Sequence, residues 1–233
     1  MTARLRIAVL GAYGRLGRFA CGEIERTADF ELVARIGSAE DVDAVVRETR
    51  AEVALESTRA GLGARHAERL LRAGVRPLVA TSGVTVEESD RLDALARELG
   101  LGGLVVPNFS LGSFLLQRAC AELARHFPRA EIVELHHERK RDAPSGTALE
   151  TARRMRAERV GSGEIPIHSV RLPGFYAHQE VLFGAPGETL TLRHDMHGPE
   201  AFGPGLVAGL RHVATAVGVA RGLEPVFGRM CAR

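Results

Sequence analysis

The sequence predicts an α/β protein in two parts, an N-terminal doubly wound parallel sheet followed by an α+β domain with a mixed or antiparallel sheet. Three observations carry this reading. Short apolar runs alternate with helix-spaced segments through residues 1–108. A glycine-rich turn sits directly between the first run and the first helix-like segment. From about Leu111 the alternation gives way to strand following strand.

Leu5 to Leu10 is a continuous apolar run, as expected for a parallel strand buried on both faces. After the glycine turn, Arg18 to Thr27 has helical spacing, with Phe19 and Ile24 on one side. Glu31 to Ile36 reads as a second strand, Asp41 to Arg50 as a charged helix, and Val53 to Leu55 as a weak third strand. His66 to Ala73 is a helix stopped at Gly74, Pro77 to Ala80 a fourth strand, Glu87 to Leu99 a helix stopped at Gly100, and Leu104 to Val106 a fifth strand ending at Pro107. Helices closed by glycine and interleaved with apolar strands predict parallel pairing through crossovers. A longer helix, Leu111 to His126, then leads into strands at Glu131 to His136, Ile167 to Leu172, Gln179 to Phe183 and Thr189 to His194, with Gly184-Ala185-Pro186-Gly187 as a turn. Gly205 to Val219 is apolar with helical period and is expected to pack back on the first part. The predicted division is residues 1–108, completed by 206–233, and residues 109–205.

Composition narrows the function classes. Among 31 basic residues against 29 acidic ones, Lys140 is the sole lysine and the rest are arginine. A net charge of +2 with the two signs interleaved argues against a nucleic-acid or anionic-membrane surface, since those partners need a concentrated basic face. No apolar run approaches the roughly 18–20 residues that span a bilayer, and the N-terminus lacks the pattern of a signal peptide. Cys21, Cys120 and Cys231 form neither a CxxC pair nor a zinc spacing, and the setting they suit is a reduced cytosol.

The turn Gly11-Ala12-Tyr13-Gly14-Arg15-Leu16-Gly17 has the spacing G-x-x-G-x-x-G. It is related to the fingerprint in which missing side chains let backbone N–H groups approach a pyrophosphate at a helix N-terminus. Its place between first strand and first helix makes the parallel sheet Rossmann-like and the cofactor NADPH or NADH. An acid about 20 residues on usually holds the ribose hydroxyls of NAD. Here the second strand ends Ala34-Arg35-Ile36-Gly37-Ser38, with no acid before Glu40. Arg35 and Ser38 can instead receive a 2′-phosphate, the alternative being a solvated Arg35, so NADPH is expected to serve at least as well as NADH.

The densest chemistry lies in Glu134-Leu135-His136-His137-Glu138-Arg139-Lys140-Arg141-Asp142-Ala143-Pro144-Ser145-Gly146-Thr147-Ala148. Open N–H groups where a helix begins near Ala148, with the hydroxyls of Ser145 and Thr147, suit a carboxylate. Lys140 adds a compact ammonium that can give up a proton, as the always-charged guanidinium cannot. His136 titrates near neutrality and can move a proton. The combination describes a pocket for a small anion that is protonated during reaction. Separately, Ser145 can be a plain helix N-cap, the histidines buried hydrogen-bonders and Lys140 a surface charge. A zinc site built from His136, His137, His168, His178 or His194 lacks compact spacing, and none is expected.

This segment resembles the signature E-x-H-H-x-x-K-x-D-A-P-S-G-T-A of the dihydrodipicolinate reductase (4-hydroxy-tetrahydrodipicolinate reductase) family. The likeness extends over nearly the whole chain, through Val106-Pro107-Asn108-Phe109-Ser110 and through Ile167 to Asp195. It implies hydride transfer from NAD(P)H to a cyclic unsaturated imine dicarboxylate of lysine and diaminopimelate biosynthesis, in a cytoplasmic homotetramer assembled through the second domain. It also implies proton-transfer roles for His136 and Lys140, and substrate contacts at His137, Gly146 and Thr147 beside Ser145. Cofactor contacts are implied at Gly11, Ala12, Tyr13, Gly14, Arg15 and Leu16, at Ala80, Thr81 and Ser82, and at Val106, Pro107, Asn108 and Phe109. The sequence departs from the family pattern at Gly37 (an acid), at Glu56-Ser57-Thr58 (Asp-Phe-Thr), at Ala80-Thr81-Ser82-Gly83 (Gly-Thr-Thr-Gly) and near Pro199 (an Arg). The alternatives are a paralogous reductase of another cyclic imine or carbonyl carboxylate, which would keep every proton-transfer residue, and a binding protein without activity.

Overall fold

The computed structural model describes residues 3–159 and 163–228, so Cys231 lies outside the described residues. The chain divides into two compact units, Met1–Phe109 with Phe202–Arg233, and Ser110–Ala201.

The first unit is a six-stranded parallel sheet. Its strands are β1 (Leu5–Leu10), β2 (Phe30–Ile36), β3 (Val53–Glu56), β4 (Arg76–Val79), β5 (Gly102–Val105) and β10 (Gly218–Arg221), in the order β10-β5-β4-β3-β1-β2. The crossovers are α1 (Arg15–Arg26), α2 (Val42–Glu48), α3 (Gly63–Arg72) and α4 (Val86–Glu98), and α7 (Gly203–Thr215) returns to the same unit. Helix α1 buries Gly17, Ala20, Cys21 and Ile24, a single stripe at three- and four-residue spacing. Strand β3 is covered on both faces: Val53, Ala54 and Leu55, and Glu56 at its end, are all fully buried. Two cores lie side by side on one face of the sheet, around Leu10, Val46 and Leu70 and around Leu71, Leu92 and Val105, while Leu78 and Leu104 face Gly209 of α7 on the other.

The expected helix over Gly205–Val219 needs correction at its end. Helix α7 stops at Ala216, Gly218 takes φ +86°, and Gly218–Arg221 runs beside β5 as a sixth strand. A side chain at Gly218 would be strained by the positive φ, and its Cβ, 2.4 Å from the Asp93 carboxylate, would force that carboxylate to shift. The helix terminators also differ from a uniform glycine rule. Gly74 and Gly100 take φ +80° and +66° after α3 and α4, whereas α1 ends on extended Thr27 and α2 is followed by Arg50 at φ +49°.

The second unit holds α5 (Leu111–Leu123), β6 (Arg129–His136), α6 (Gly146–Glu158), β7 (Ile167–Arg171), β8 (Ala177–Ala185) and β9 (Glu188–Met196). The sheet order is β7-β6-β8-β9, with β6 and β7 parallel and the other pairs antiparallel, so the sheet is mixed. Ile132, Val181 and Phe183 point to one face and pack with Leu116 and Cys120 of α5 and Ala152 and Met155 of α6. Alternation along β6 puts Glu134 and His136 on that face with Ile132. Cys21 and Cys120 are buried free thiols, one in each unit, and burial pushes the Cys120 thiol up to about 12.

Candidate active site

In the first unit, the loops after β1, β3, β4 and β5 all emerge at the carboxyl edge of the sheet. The chain leaves β1 for β2 on one side and returns to β3 on the other, the switch point where ligands bind in open parallel sheets. Gly11 there takes φ +75°, and its N–H donates to Ile36 O at 2.8 Å. A Cβ on Gly11 would lie 2.6 Å from Ser57 O, and one on Gly17 only 2.1 Å from Gly11 O. Both glycines are therefore steric requirements of a turn folded tightly over the start of α1. Gly14 occupies the N-cap position without a side chain, and the first turn of α1 contains no acid. The positive end of the helix dipole is thus left for an anion. These features fit a dinucleotide: the Gly11 to Leu16 backbone would hold its pyrophosphate, and bound NAD(P)H would supply a hydride.

Segments 80–82 and 106–109 border the same edge. Ala80 N donates to Glu56 O at 2.8 Å, and the Thr81 hydroxyl donates to the fully buried Glu56 carboxylate. Glu56 also accepts from Thr58 N at 3.1 Å and contacts His66 Nδ1 at 3.1 Å. The Glu56-Ser57-Thr58 departure thus joins the loops after β3 and β4. Val106 N donates to Val79 O at 2.7 Å, and Gly205 of α7 lies against Phe109, where a Cβ would be 2.0 Å from the carbonyl oxygen.

Where the acid is missing after β2, two side chains close over the backbone. Gly37 sits under the exposed ring of Tyr13, whose Cδ2 and Cε2 would stand 3.1 Å from a Cβ, and Glu40 turns back to accept from Gly37 N at 2.8 Å. Arg35 donates to Glu25 across the surface. That pair is solvent-screened, so a phosphate can displace Glu25 at little cost. Arg35→Ala is expected to raise the Kd of NADPH several-fold and leave that of NADH unchanged. Titration of both cofactors by fluorescence checks this, and equal effects on the two would remove Arg35 from phosphate recognition.

In the second unit, His136 and the Ser145 turn converge on one buried carboxylate, which Arg171 links to the backbone of Asp142, the partner of Lys140. Glu134 is fully buried, and Arg171 grips it with two parallel bonds, Nη2 to Oε1 at 2.7 Å and Nη1 to Oε2 at 2.9 Å. Ser145 N donates to Glu134 Oε1 at 3.2 Å, and His136 Nδ1 contacts Oε2. Burial alone would raise the Glu134 pKa. Hydrogen bonds from Arg171, Ser169 and His136 outweigh it and hold the carboxyl below its usual range. Burial pushes the His136 imidazole below its ordinary value, Glu134 opposes this, and the nearby charges of Lys140 and Arg171 lower it further. At neutral pH His136 is therefore neutral. An ionised carboxylate can only accept, so Nδ1 carries the proton and Nε2 keeps its lone pair.

Lys140 Nζ donates to both oxygens of Asp142, at 2.8 and 2.9 Å, and Arg171 Nη2 donates to Asp142 O at 2.8 Å. Asp142 is 62% exposed, so its hold on the ammonium is exchangeable for an incoming carboxylate. After the cis Ala143–Pro144 bond, Ser145 caps α6, its Oγ accepting from Ala148 N at 3.2 Å. The first turn of α6 contains no acid, and a Cβ on Gly146 would meet nothing within 4 Å, so the turn opens onto free space suited to an anion. His137 Nδ1 is buried without a partner. The sequence reading did not assign Glu134, Asp142 or Arg171. A signal existed for Glu134, which lies two residues before His136 on a strand; Arg171 comes from another strand and gave none.

Two family models, dihydrodipicolinate reductase N-terminus and C-terminus, match residues 5–109 and 112–226. The chain belongs to the dihydrodipicolinate reductase family. Similar relatives named 4-hydroxy-tetrahydrodipicolinate reductase occur in Moorella thermoacetica, at 39% identity over 96% of this chain and 98% of the relative, and in Streptomyces coelicolor, at 41% over 95% and 97%. A dipicolinate-bound dihydrodipicolinate reductase from Paenisporosarcina sp. TG-14 superimposes with a TM-score of 0.85 at 30% identity, covering 96% of this chain and 99% of that one. Membership of the dihydrodipicolinate reductase family agrees with the Rossmann-like first unit, the mixed sheet of the second and an NAD(P)H-dependent oxidoreductase.

Proposed function

We propose that the protein reduces 4-hydroxy-tetrahydrodipicolinate to tetrahydrodipicolinate with NADPH or NADH, in lysine and diaminopimelate biosynthesis. The observation that carries the reading is the gathering of the sole lysine, a neutral His136 and the open N-terminus of α6 in one short segment of a chain that matches the family over residues 5–109 and 112–226.

Bound NAD(P)H supplies the hydride. The protein's own residues hold the dicarboxylate and deliver the proton. One carboxylate docks at the first turn of α6, on Ser145, Gly146 and Thr147, where the helix dipole and backbone N–H groups favour negative charge. The buried, unpartnered His137 Nδ1 supplies a further polar contact. Hydride arrival drives an electron pair onto ring carbon or nitrogen. Lys140 stabilises that charge and donates the proton, while His136, with Nε2 open, exchanges protons with the substrate. An arginine at position 140 would keep the charge and fail at the transfer.

Among the described residues no helix is long and apolar enough to cross a membrane, and we place the protein in the cytoplasm. We further propose, from the family resemblance, a homotetramer built through the second unit.

The test is a coupled assay in which the product of dihydrodipicolinate synthase is fed to the protein and NADPH or NADH absorbance is followed. The expected result is a fall dependent on both proteins. Absence of a fall with either cofactor would point to a paralogous reductase acting on another cyclic imine or carbonyl carboxylate.

A further inference from the structure

We infer that Glu134, anchored by Arg171, is a positioning residue that fixes His136 as the Nδ1–H tautomer and holds the Ser145 turn, so that the proton-transfer group and the substrate-anion site are set by one carboxylate. This deepens, and rests on, the reductase reading above. Glu134 is fully buried, its Oε1 is shared by Ser145 N–H and Arg171 Nη2, and its Oε2 by His136 Nδ1 and Arg171 Nη1. A carboxylate that accepts from Ser145, His136, Ser169 and both arms of Arg171 has no capacity left for substrate, so Glu134 acts through the groups it holds. Arg171 extends the same frame, since its Nη2 also donates to the carbonyl of Asp142, whose side chain holds Lys140. Register explains why the frame is rigid. Glu134 and His136 project from the same face of β6, and Arg171 stands directly opposite His136 on β7. Leu172 N further donates to His136 O at 3.1 Å.

The tautomer is the functional content. With Nδ1–H committed to Glu134, Nε2 presents a lone pair when the ring is neutral and an acidic N–H when it is charged, so one atom serves both directions of proton transfer. Glu134→Gln reverses this. A Gln carbonyl at the Oε1 position keeps both the Ser145 N–H and Arg171 Nη2 as donors, whereas an NH2 there would oppose both; the amide NH2 therefore takes the Oε2 position, gives up the Nη1 bond, faces Nδ1 and moves the ring proton to Nε2.

Nitrogen-15 spectra of histidine-labelled enzyme with NADPH present should show His136 protonated at Nδ1 in the wild type and at Nε2 in Glu134→Gln. kcat should fall on the order of a hundredfold or more, with the Kd for NADPH unchanged. An Nε2–H tautomer already present in the wild type would overturn the inference, and that measurement needs no variant to fold. Loss of activity without a tautomer change would also overturn it, because the carboxylate would then matter only for stability. Wild-type turnover in Glu134→Gln would do the same. Should the wild type itself fail in the coupled assay, the reductase reading falls, and the two spectra still decide whether Glu134 sets the tautomer.

Discussion

Lys140→Ala is expected to lower turnover by about 10²–10⁴-fold, the usual worth of a positioned proton donor, while the Kd for NADPH stays near its wild-type value. The separation of effects follows from the fold. Lys140 lies in the second unit, and every segment assigned to the cofactor lies in the first. Among the described residues its ammonium pairs with the exposed Asp142 carboxylate, a contact that contributes little to stability. A stability defect is therefore not expected, and Tm should match wild type. Lys140→Arg is the sharper variant. It keeps the charge that attracts a dicarboxylate, so KM should change little, but a guanidinium does not release its proton near neutral pH, and kcat should fall nearly as far as in the alanine variant. Because Lys140 is the sole lysine, an amine-specific reagent that abolishes activity must act there or at the α-amino group. Dicarboxylate protection during labelling would separate those two targets. Wild-type kcat in either variant would remove Lys140 from the proton transfer.

The parts of this molecule that were readable from sequence are those whose cause is local. Strand β1 is announced by six consecutive residues, the glycine turn by its own spacing, and the Lys140–Ser145 segment by residue types that have one chemistry in common. What escaped depends on distant partners. Strand β10 has four residues and pairs with β5 more than a hundred positions earlier, so its valine and alanine continue the apolar period of α7 and disclose nothing. Gly218 and exposed Val217 were the available signals that the helix had ended. The grip of Arg171 on Glu134 is likewise non-local, created by the parallel pairing of β6 and β7. Gly37 shows a third case. The absence of an acid after β2 is plain in the sequence, but the Tyr13 ring over residue 37 and the Glu40 carboxylate held on its N–H are visible only in three dimensions.

Gly17→Ala is expected to raise the Kd for NADPH and NADH by at least tenfold and to lower Tm by several degrees. Two effects oppose each other at this position. Alanine is favoured over glycine inside a helix by about 1 kcal/mol, and Gly17 is in the first turn of α1, so propensity alone predicts a modest gain. Against this, the new Cβ would lie 2.1 Å from Gly11 O and 2.8 Å from Ala12 Cα and Gly11 C, all of them backbone. No side chain can rotate away to relieve those contacts. Overpacking of this kind costs typically 1–3 kcal/mol and is met by moving the backbone, so the clash wins. The backbone that must move is the Gly11–Gly14 turn, tied to β2 through Ile36 O. Shifting it displaces the N–H groups meant for the pyrophosphate, and misplacement by about 1 Å is enough to cost two orders of magnitude at a well-fitted site. Gly74→Ala is the matched control. Gly74 takes φ +80° with open space around its Cα, so alanine there strains the chain end of α3 without touching the turn. It should lower Tm by a similar amount and leave both cofactor affinities intact. Equal loss of affinity in the two variants would mean that cofactor binding simply follows stability, and the steric reading of Gly17 would be wrong.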